Sequence, residues 1–206
     1  MKIVGGVKNV IGGLIDMYKV VRIGRYCRIA GWELNVDLTD YYKRAKEKGF
    51  VNNASREMLI DCFDNESQMH LFLLYEDDTI IGTQVLHTFP EMGPNCWRVG
   101  RTSLLVPPLG KGKSIITKFQ NHTDQFLHPA VIKFVEERYG ATLYSTTNMN
   151  PEAKQNQSHL IYFPLLEKMG VVDKVGDMEY RYTNQSVWKF NFNRFWELYN
   201  LFPKWN

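Results

Sequence analysis

The 206-residue chain has three cysteines, no CxxC pair, no internal repeat, and no stretch of the roughly 18 uncharged apolar residues that a membrane helix needs. Cys27, Cys62 and Cys96 lie 35 and 34 residues apart, so they build no disulfide framework and read as reduced thiols of a cytoplasmic protein. The opening MKIVGGVKNVIGG is broken by Lys8 and by glycine pairs, which argues against a signal peptide. Five N-x-S/T matches, at Asn53, Asn65, Asn121, Asn156 and Asn184, are what 15 asparagines give by chance, and without an export signal they are not glycosylation sites. What is present is apolar material: 44% hydrophobic and 14% aromatic residues, which exclude global disorder. The length is that of about one domain at roughly 150 residues each.

The net charge of +3 hides unequal parts. Residues 1–31 hold six Lys/Arg against one acid, residues 32–96 five against twelve, residues 97–138 seven against three, and the remainder seven against six. A basic middle segment suits phosphates and an acidic one suits a cationic amine; charge scattered over solvated faces gives the same counts.

Residues 1–16 read as an N-terminal arm, and Tyr18–Ile29 as a basic strand. A helix follows from Asp37 or Thr39 to Gly49, with Leu38, Tyr41, Tyr42 and Ala45 on one side, and then a short helix carrying Met58, Leu59, Cys62 and Phe63. The period then changes to two. HLFLLY (70–75) and IIGTQVLHTF (80–89) form an antiparallel hairpin, and a third strand runs from Cys96 to Val106, ended by Pro107 and Pro108. Pro129–Tyr139 is a helix stopped by Gly140, Ala141–Thr147 a buried strand, and Pro151–Gly170 a helical pattern that Pro164 bends or breaks. Val171–Tyr182 and Ser186–Phe192 are final strands before an aromatic tail. Strands interrupted by helices on one sheet give an α+β, mixed α/β class.

Three patterns occur in this order: LLVPPLGKGKSII (104–116), ERYGATLYSTTNMN (137–150) and FPLLEKMGVVDKV (163–175). Together they resemble the GNAT superfamily of N-acetyltransferases: its fourth strand and glycine loop, its fifth strand with the asparagine that follows, and the helix end usually written LYEKLGF. The resemblance covers residues 17–192, with 193–206 as a C-terminal tail packed on the domain or on a partner. It implies a central, mostly antiparallel mixed sheet flanked by helices, splayed into a V between strands 4 and 5, with acetyl-CoA bound in the splay and no metal. It places Leu104, Leu105 and Val106 along the pantetheine arm and Ser145, Thr146 and Asn148 across the gap. Gly110 and Gly112 let the backbone approach the diphosphate, with Lys111, Lys113 and Ser114 as side-chain contacts. The interval from Gly110 to Ala141 is longer than the family's, so either 119–129 is an insertion or His122–His128 is the diphosphate loop. The chain also resembles divergent acetyltransferase-like proteins of tailed phages.

At the tyrosine of LYEKLGF, which in the family protonates the departing thiolate, stands Leu166; Tyr162 and Tyr144 are the substitutes. No carboxylate occupies the third strand of the hairpin sheet, where Arg98 and Arg101 stand, so the base is Glu76, His87, Glu91 or water.

Competing readings are weaker. GKGKS resembles the end of a Walker A loop, but Pro107 occupies the first glycine position. His122, Asp124 and His128 lack a fourth ligand for a metal. Arg22, Arg25 and Arg28 around Tyr26 suit nucleic acid or a solvated face equally. Phe192, Phe195, Trp196, Tyr199, Phe202 and Trp205 either complete a partner or homo-oligomer interface or cover the sheet's end. The leading expectation is an acyl-CoA-dependent N-acyltransferase in which a primary amine attacks the thioester directly. The alternative is a catalytically degenerate module of the same fold that binds nucleic acid or an assembly partner.

Overall fold

The computed structural model describes residues 18–24, 38–48, 69–106, 121–150, 158–180 and 183–201. The expected N-terminal arm, the helix around Met58–Phe63 and the glycine loop Gly110–Ser114 lie outside these residues. The described residues form two compact units. One takes those up to Thr88 with Arg101–Val131, and the other takes Phe89–Gly100 with those from Ile132 onward.

The first unit is built on strands β1 (Tyr18–Gly24), β2 (Met69–Glu76) and β3 (Thr79–Thr88) and the C-terminal half of β4 (Cys96–Leu104). β1 pairs antiparallel with β2, and β2 with β3 through a turn at Asp77 and Asp78. The hairpin strands are apolar on both faces, which period-two alternation does not give, and both faces are buried. Helix α1 (Thr39–Glu47) lays Leu38, Tyr41 and Ala45 on Leu71, Leu73, Ile80, Val85 and Leu105. Leu38, rather than Asp37 or Thr39, sits at its N-cap, and no side chain closes that cap. Gly82 is required by packing, since a Cβ there would lie 2.6 Å from Leu104 Cδ2 and 3.3 Å from the Ser103 carbonyl oxygen. The Tyr41 hydroxyl is buried but satisfied, bonded to Ser103 and lying 3.3 Å from Thr83 Oγ1, with Thr83 and Ser103 hydroxyls 3.0 Å apart.

A π-helical turn, Thr123–Leu127, leads into helix α2 (His128–Tyr139) and packs on β1 and β2. Asn121 starts it: its Oδ1 accepts the Asp124 N–H at 3.0 Å, and its Nδ2 donates to Asp124 Oδ2 at 2.6 Å, a reciprocal cap. Residues 122–128 are therefore helical and largely buried, which corrects their alternative reading as a diphosphate loop. Gly140, at φ 56°, ends α2 in the left-handed conformation that lacks a Cβ penalty.

The second unit contains the N-terminal half of β4 with β5 (Thr142–Asn148), β6 (Val172–Tyr180) and β7 (Thr183–Phe190). β4 and β5 are parallel, while β5 and β6 each pair antiparallel with β7. Hydrogen-bonded neighbours run β1-β2-β3-β4-β5-β7-β6, a mixed, mostly antiparallel α+β sheet with helices flanking it. A second π-helical turn, Ser158–Tyr162, precedes α3 (Phe163–Lys168). Pro164 sits near the start of α3, directly after the π-helical turn, so the helical bond pattern changes around the proline. α3 places the Phe163 ring 5.4 Å from Trp188 and 6.5 Å from Phe190 on β7.

The start of the aromatic tail is helical, α4 (Phe192–Leu201). Asn191 Oδ1 accepts the Arg194 N–H, Trp196 Nε1 donates to Glu136 at 2.7 Å, and Phe195 and Leu198 are buried.

Candidate functional site

The parallel ladder between β4 and β5 is short. Its register pairs Cys96–Val99 with Thr142–Ser145, yet β5 continues through Asn148 with β7 still beside it on the other edge. Two hydrogen bonds fix which way each β5 peptide points. The Thr142 N–H donates to the Asn95 carbonyl at 3.2 Å, toward β4, and the Met149 N–H donates to the Asn184 carbonyl at 2.9 Å, toward β7. Because direction alternates along a strand, the even-numbered residues Tyr144, Thr146 and Asn148 turn their main-chain groups toward β4 and the odd-numbered ones toward β7. Among the described residues the Thr146 carbonyl and the Asn148 N–H thus lie beyond the last rung, an acceptor and a donor on a strand edge without a pairing neighbour. Thr146 adds a third group: among the described residues, its buried Oγ1 has no hydrogen-bond partner. Native structures leave few such atoms, and ligand sites are among the reasons for those that exist.

The two faces of this segment differ. Tyr144 faces Phe89, Val187, Met92, Cys96, Met178 and Tyr180, an apolar and aromatic cluster, with its ring 5.9 Å from Phe89. Burial, and then Cys96, raise its phenol pKa above the ordinary value, so the hydroxyl holds its proton at neutral pH. Ser145 and Thr147 face the opposite way, toward Trp188 and Ser186. There Thr147 Oγ1 accepts the Trp188 Nε1–H at 2.8 Å and lies 3.0 Å from His159 Nδ1. On the same face Ser186 Oγ donates to Asp177 Oδ1 at 2.6 Å, and Lys174 Nζ lies 2.9 Å from that oxygen. The Ser186 hydroxyl first, and then Lys174, hold the Asp177 carboxyl below its usual range.

The expected site residues are spread over both units. Tyr144, Thr146 and Asn148 share one face of β5 and turn their main-chain groups toward β4, whereas Ser145 lies on the opposite face with its main-chain groups toward β7. Tyr162 ends a π-helical turn, half-buried, edge-on to Phe163 at 5.4 Å. Glu76 and His87 belong to the first unit at opposite ends of the β2–β3 hairpin: Glu76 pairs with Thr79 beside the turn, whereas His87 pairs with Met69. Glu76 accepts the Tyr18 hydroxyl at 2.8 Å, and His87 Nδ1 lies 2.8 Å from the Thr88 carbonyl oxygen. The hairpin therefore does not bring these two together. Leu105 is buried in the α1 cluster, its N–H donating to the Ile81 carbonyl at 2.8 Å and its carbonyl accepting from Lys48; Leu104 and Val106 are half-buried. Glu91 is exposed on a 3₁₀ turn, Pro90–Met92.

The His122, Asp124 and His128 set divides. Asp124 Oδ1 is 2.9 Å from His128 Nδ1 inside the first unit, whereas both His122 ring nitrogens are buried without a partner among the described residues. No group of three or more His, Cys, Asp or Glu among the described residues is arranged to hold a metal, and none of their helices is long and apolar enough to cross a membrane. A cleft of about 410 Å³ lies at the other end of β5, lined by Glu136, Thr142, Asp173, Lys189 and the start of α4. It is six strand residues, about 20 Å, from Asn148.

Sequence reading passed over His159, Asp177 and Ser186. Each is polar and unremarkable in its own segment, and only the β6–β7 register and the fold-back of the π-helical turn assemble them.

No protein-family model matches the sequence, and no curated protein matches it. Among solved structures, the chain is similar to an acyl-CoA N-acyltransferase from Pseudomonas aeruginosa, at 12% identity over 84% of this chain and 99% of that one, with a TM-score of 0.49. It is similar to the N-acetyltransferase PseH of Campylobacter jejuni, at 17% identity over 82% and 97% with a TM-score of 0.45. A ribosomal-protein-S5-alanine acetyltransferase from Vibrio fischeri is similar at 12% identity over 87% and 96%, with a TM-score of 0.48. These are likenesses in the arrangement of elements, and the chemistry of the site rests on the chain's own residues.

Proposed function

We propose that the chain is an acyl-CoA-dependent N-acyltransferase that moves an acetyl group from acetyl-CoA to a primary amine. The observation that carries this reading is the open β5 edge beyond Ser145. A pantetheine arm is an extended chain with two amides, and an unpaired strand edge binds such a chain as it would another strand. The Asn148 N–H and the Thr146 carbonyl supply one donor and one acceptor, and Thr146 Oγ1 a further contact. Gly110 and Gly112, with Lys111, Lys113 and Ser114, are the proposed diphosphate cradle, reached through Leu104–Val106.

In the reaction, the neutral amine nitrogen attacks the thioester carbonyl carbon, the C–N bond forms, the C–S bond breaks, and the amine's extra proton leaves to water or a base. The departing thiolate takes a proton from a tyrosine hydroxyl. Tyr144 is the first choice because it shares the face of β5 that carries Thr146, and Tyr162 is the second.

The reading is tested by thermal melting with acetyl-CoA, coenzyme A, ATP with magnesium, and short DNA. At a hundredfold excess over Kd, acetyl-CoA adds about 2.7 kcal/mol, a shift of roughly 5–10 °C for a chain of this size. Asn148→Pro deletes the one edge donor without touching the β7 pairing, and should abolish that shift while leaving the unliganded melting temperature nearly unchanged. A shift with DNA but none with acetyl-CoA would replace the enzyme by a binding module.

A further inference from the structure

On the face of β5 opposite Tyr144, side chains from three elements form a relay of hydrogen bonds. Trp188 Nε1 on β7 donates to Thr147 Oγ1 at 2.8 Å, and that oxygen lies 3.0 Å from Nδ1 of His159 in the π-helical turn. An indole nitrogen only donates, so Thr147 Oγ1 receives that bond and keeps one proton of its own. Trp188 and Thr147 are buried and His159 is half-buried, so a hydroxyl proton left unpaired between them is costly. The arrangement that leaves none unpaired has Thr147 donating to Nδ1, with the imidazole neutral and its proton on Nε2. A protonated His159 carries a hydrogen on Nδ1 as well. Two donors then converge on one hydroxyl oxygen, and the hydroxyl proton loses its acceptor.

The charges on this side of the sheet do not restore the balance. Ser145, Thr147, Ser186 and Trp188, the residues that β5 and β7 pair on this face, carry none. On β6, the Asp177 carboxylate acts electrostatically on His159, but it is bonded to Ser186 and lies 2.9 Å from Lys174 Nζ. Lys174 thus offsets much of the attraction that Asp177 has for an imidazolium. On α3, Glu167 accepts the Lys174 main-chain N–H at 3.3 Å and, like Lys168, is exposed. Thr147 stands between Thr146 and Asn148, in the stretch of β5 that has β7 beside it but, among the described residues, no longer β4. There the strand is held by one ladder and by the side chains packed on its faces. We infer that His159 is a positioning residue for this strand end: neutral, it pins Thr147 and so keeps the flanking Thr146 carbonyl and Asn148 N–H in register, and protonated, it releases them. That these two groups hold acetyl-CoA rests on the acyltransferase reading; the relay itself does not.

The test follows the whole chain by NMR from neutral to acidic pH. The His159 ring protons report its protonation, and the Trp188 indole N–H, assigned by its loss in Trp188→Phe, reports the far end of the relay. The indole signal should move with the same midpoint as His159 in the wild type, and should stay flat in Thr147→Val, which keeps the shape and removes the hydroxyl. Acetyl-CoA affinity, measured alongside, should fall about tenfold across that midpoint, a coupling of ordinary size between two sites. His159→Asn, whose Oδ1 accepts from Thr147 and does not titrate, should keep the wild-type affinity at neutral pH and lose the acid decline. A merely structural role would not separate those two readouts. An indole signal in the wild type that ignores the His159 titration overturns the inference, as does an acid decline that persists undiminished in His159→Asn. Coupling of Trp188 to His159 in a protein that binds no acetyl-CoA at any pH keeps the relay and removes the acyltransferase reading.

Discussion

Among the described residues, two antiparallel hairpins, β2–β3 and β6–β7, have similar lengths and opposite burial. In β2–β3 the residues Leu71–Leu74 and Ile80–Leu86 are buried on both faces, and the polar Thr83 in their midst is paired with Tyr41 and Ser103. In β6–β7, Asp173–Asp177 are exposed along one strand, while Ser186–Trp188 are buried along the other. Both ladders carry a register shift, at Leu74/Tyr75 and at Lys174/Gly176. The first hairpin is a scaffold in which Thr83 is satisfied by Tyr41 and Ser103 and Gln84 Nε2 donates to Thr102, while among the described residues Gln84 Oε1 has no partner. The second sets the buried Ser186 of β7 against Asp177 of the exposed β6, and places the Tyr180 ring 4.1 Å from the Arg98 guanidinium carbon.

The difference can be broken hardest by cutting the first hairpin's core. Leu73 is fully buried, and Leu73→Ala should cost about 3–4 kcal/mol of unfolding free energy in denaturant titration. Val175→Ala on the second, where the side chain is 46% exposed, should stay within about 0.5 kcal/mol. Similar losses at both sites would erase the distinction between scaffold and presenting hairpin.

His122 sharpens the comparison from within the first unit. Burial lowers its pKa below the ordinary 6.5, and its two ring nitrogens lack the partners that Tyr41 has. As the pH falls below about 6.5 the unfolded chain takes up a proton that the folded chain resists, so stability declines on acidification through the window down to the lowered value. His122→Leu should remove that part of the decline and raise stability near pH 7 by about 1 kcal/mol, since an unpaired buried polar group is replaced by an apolar one. An unchanged pH profile would show that the imidazole is bonded after all.

Much of the scaffold was legible in the sequence. HLFLLY and IIGTQVLHTF announce themselves by β-branched and aromatic density around an acidic turn, and Pro129 with Gly140 brackets a helix. The π-helical turns were not, because a five-residue bond pattern leaves no periodic trace, although Pro164 stands where one of them passes into α3. Helix α4 was legible in principle, because Phe192, Phe195, Trp196 and Tyr199 recur at helical spacing on one side with Asn193, Glu197 and Asn200 on the other, a pattern that reading the segment as an aromatic tail missed. The strand end that carries Ser145, Thr146 and Asn148 was legible through STTN, whereas the contact of Arg98 with Tyr180 spans 82 residues and depends on a bulged hairpin. Such contacts are set by register, and register is fixed by tertiary packing more than by any local signal.

The most direct test of the central claim is amide hydrogen exchange at Asn148 with and without acetyl-CoA. Asn148 N–H lies beyond the last rung toward β4, so the account predicts fast exchange in the free protein and marked slowing on binding, with Leu71–Leu74 amides unchanged. Asn148 exchange that acetyl-CoA leaves untouched would contradict it.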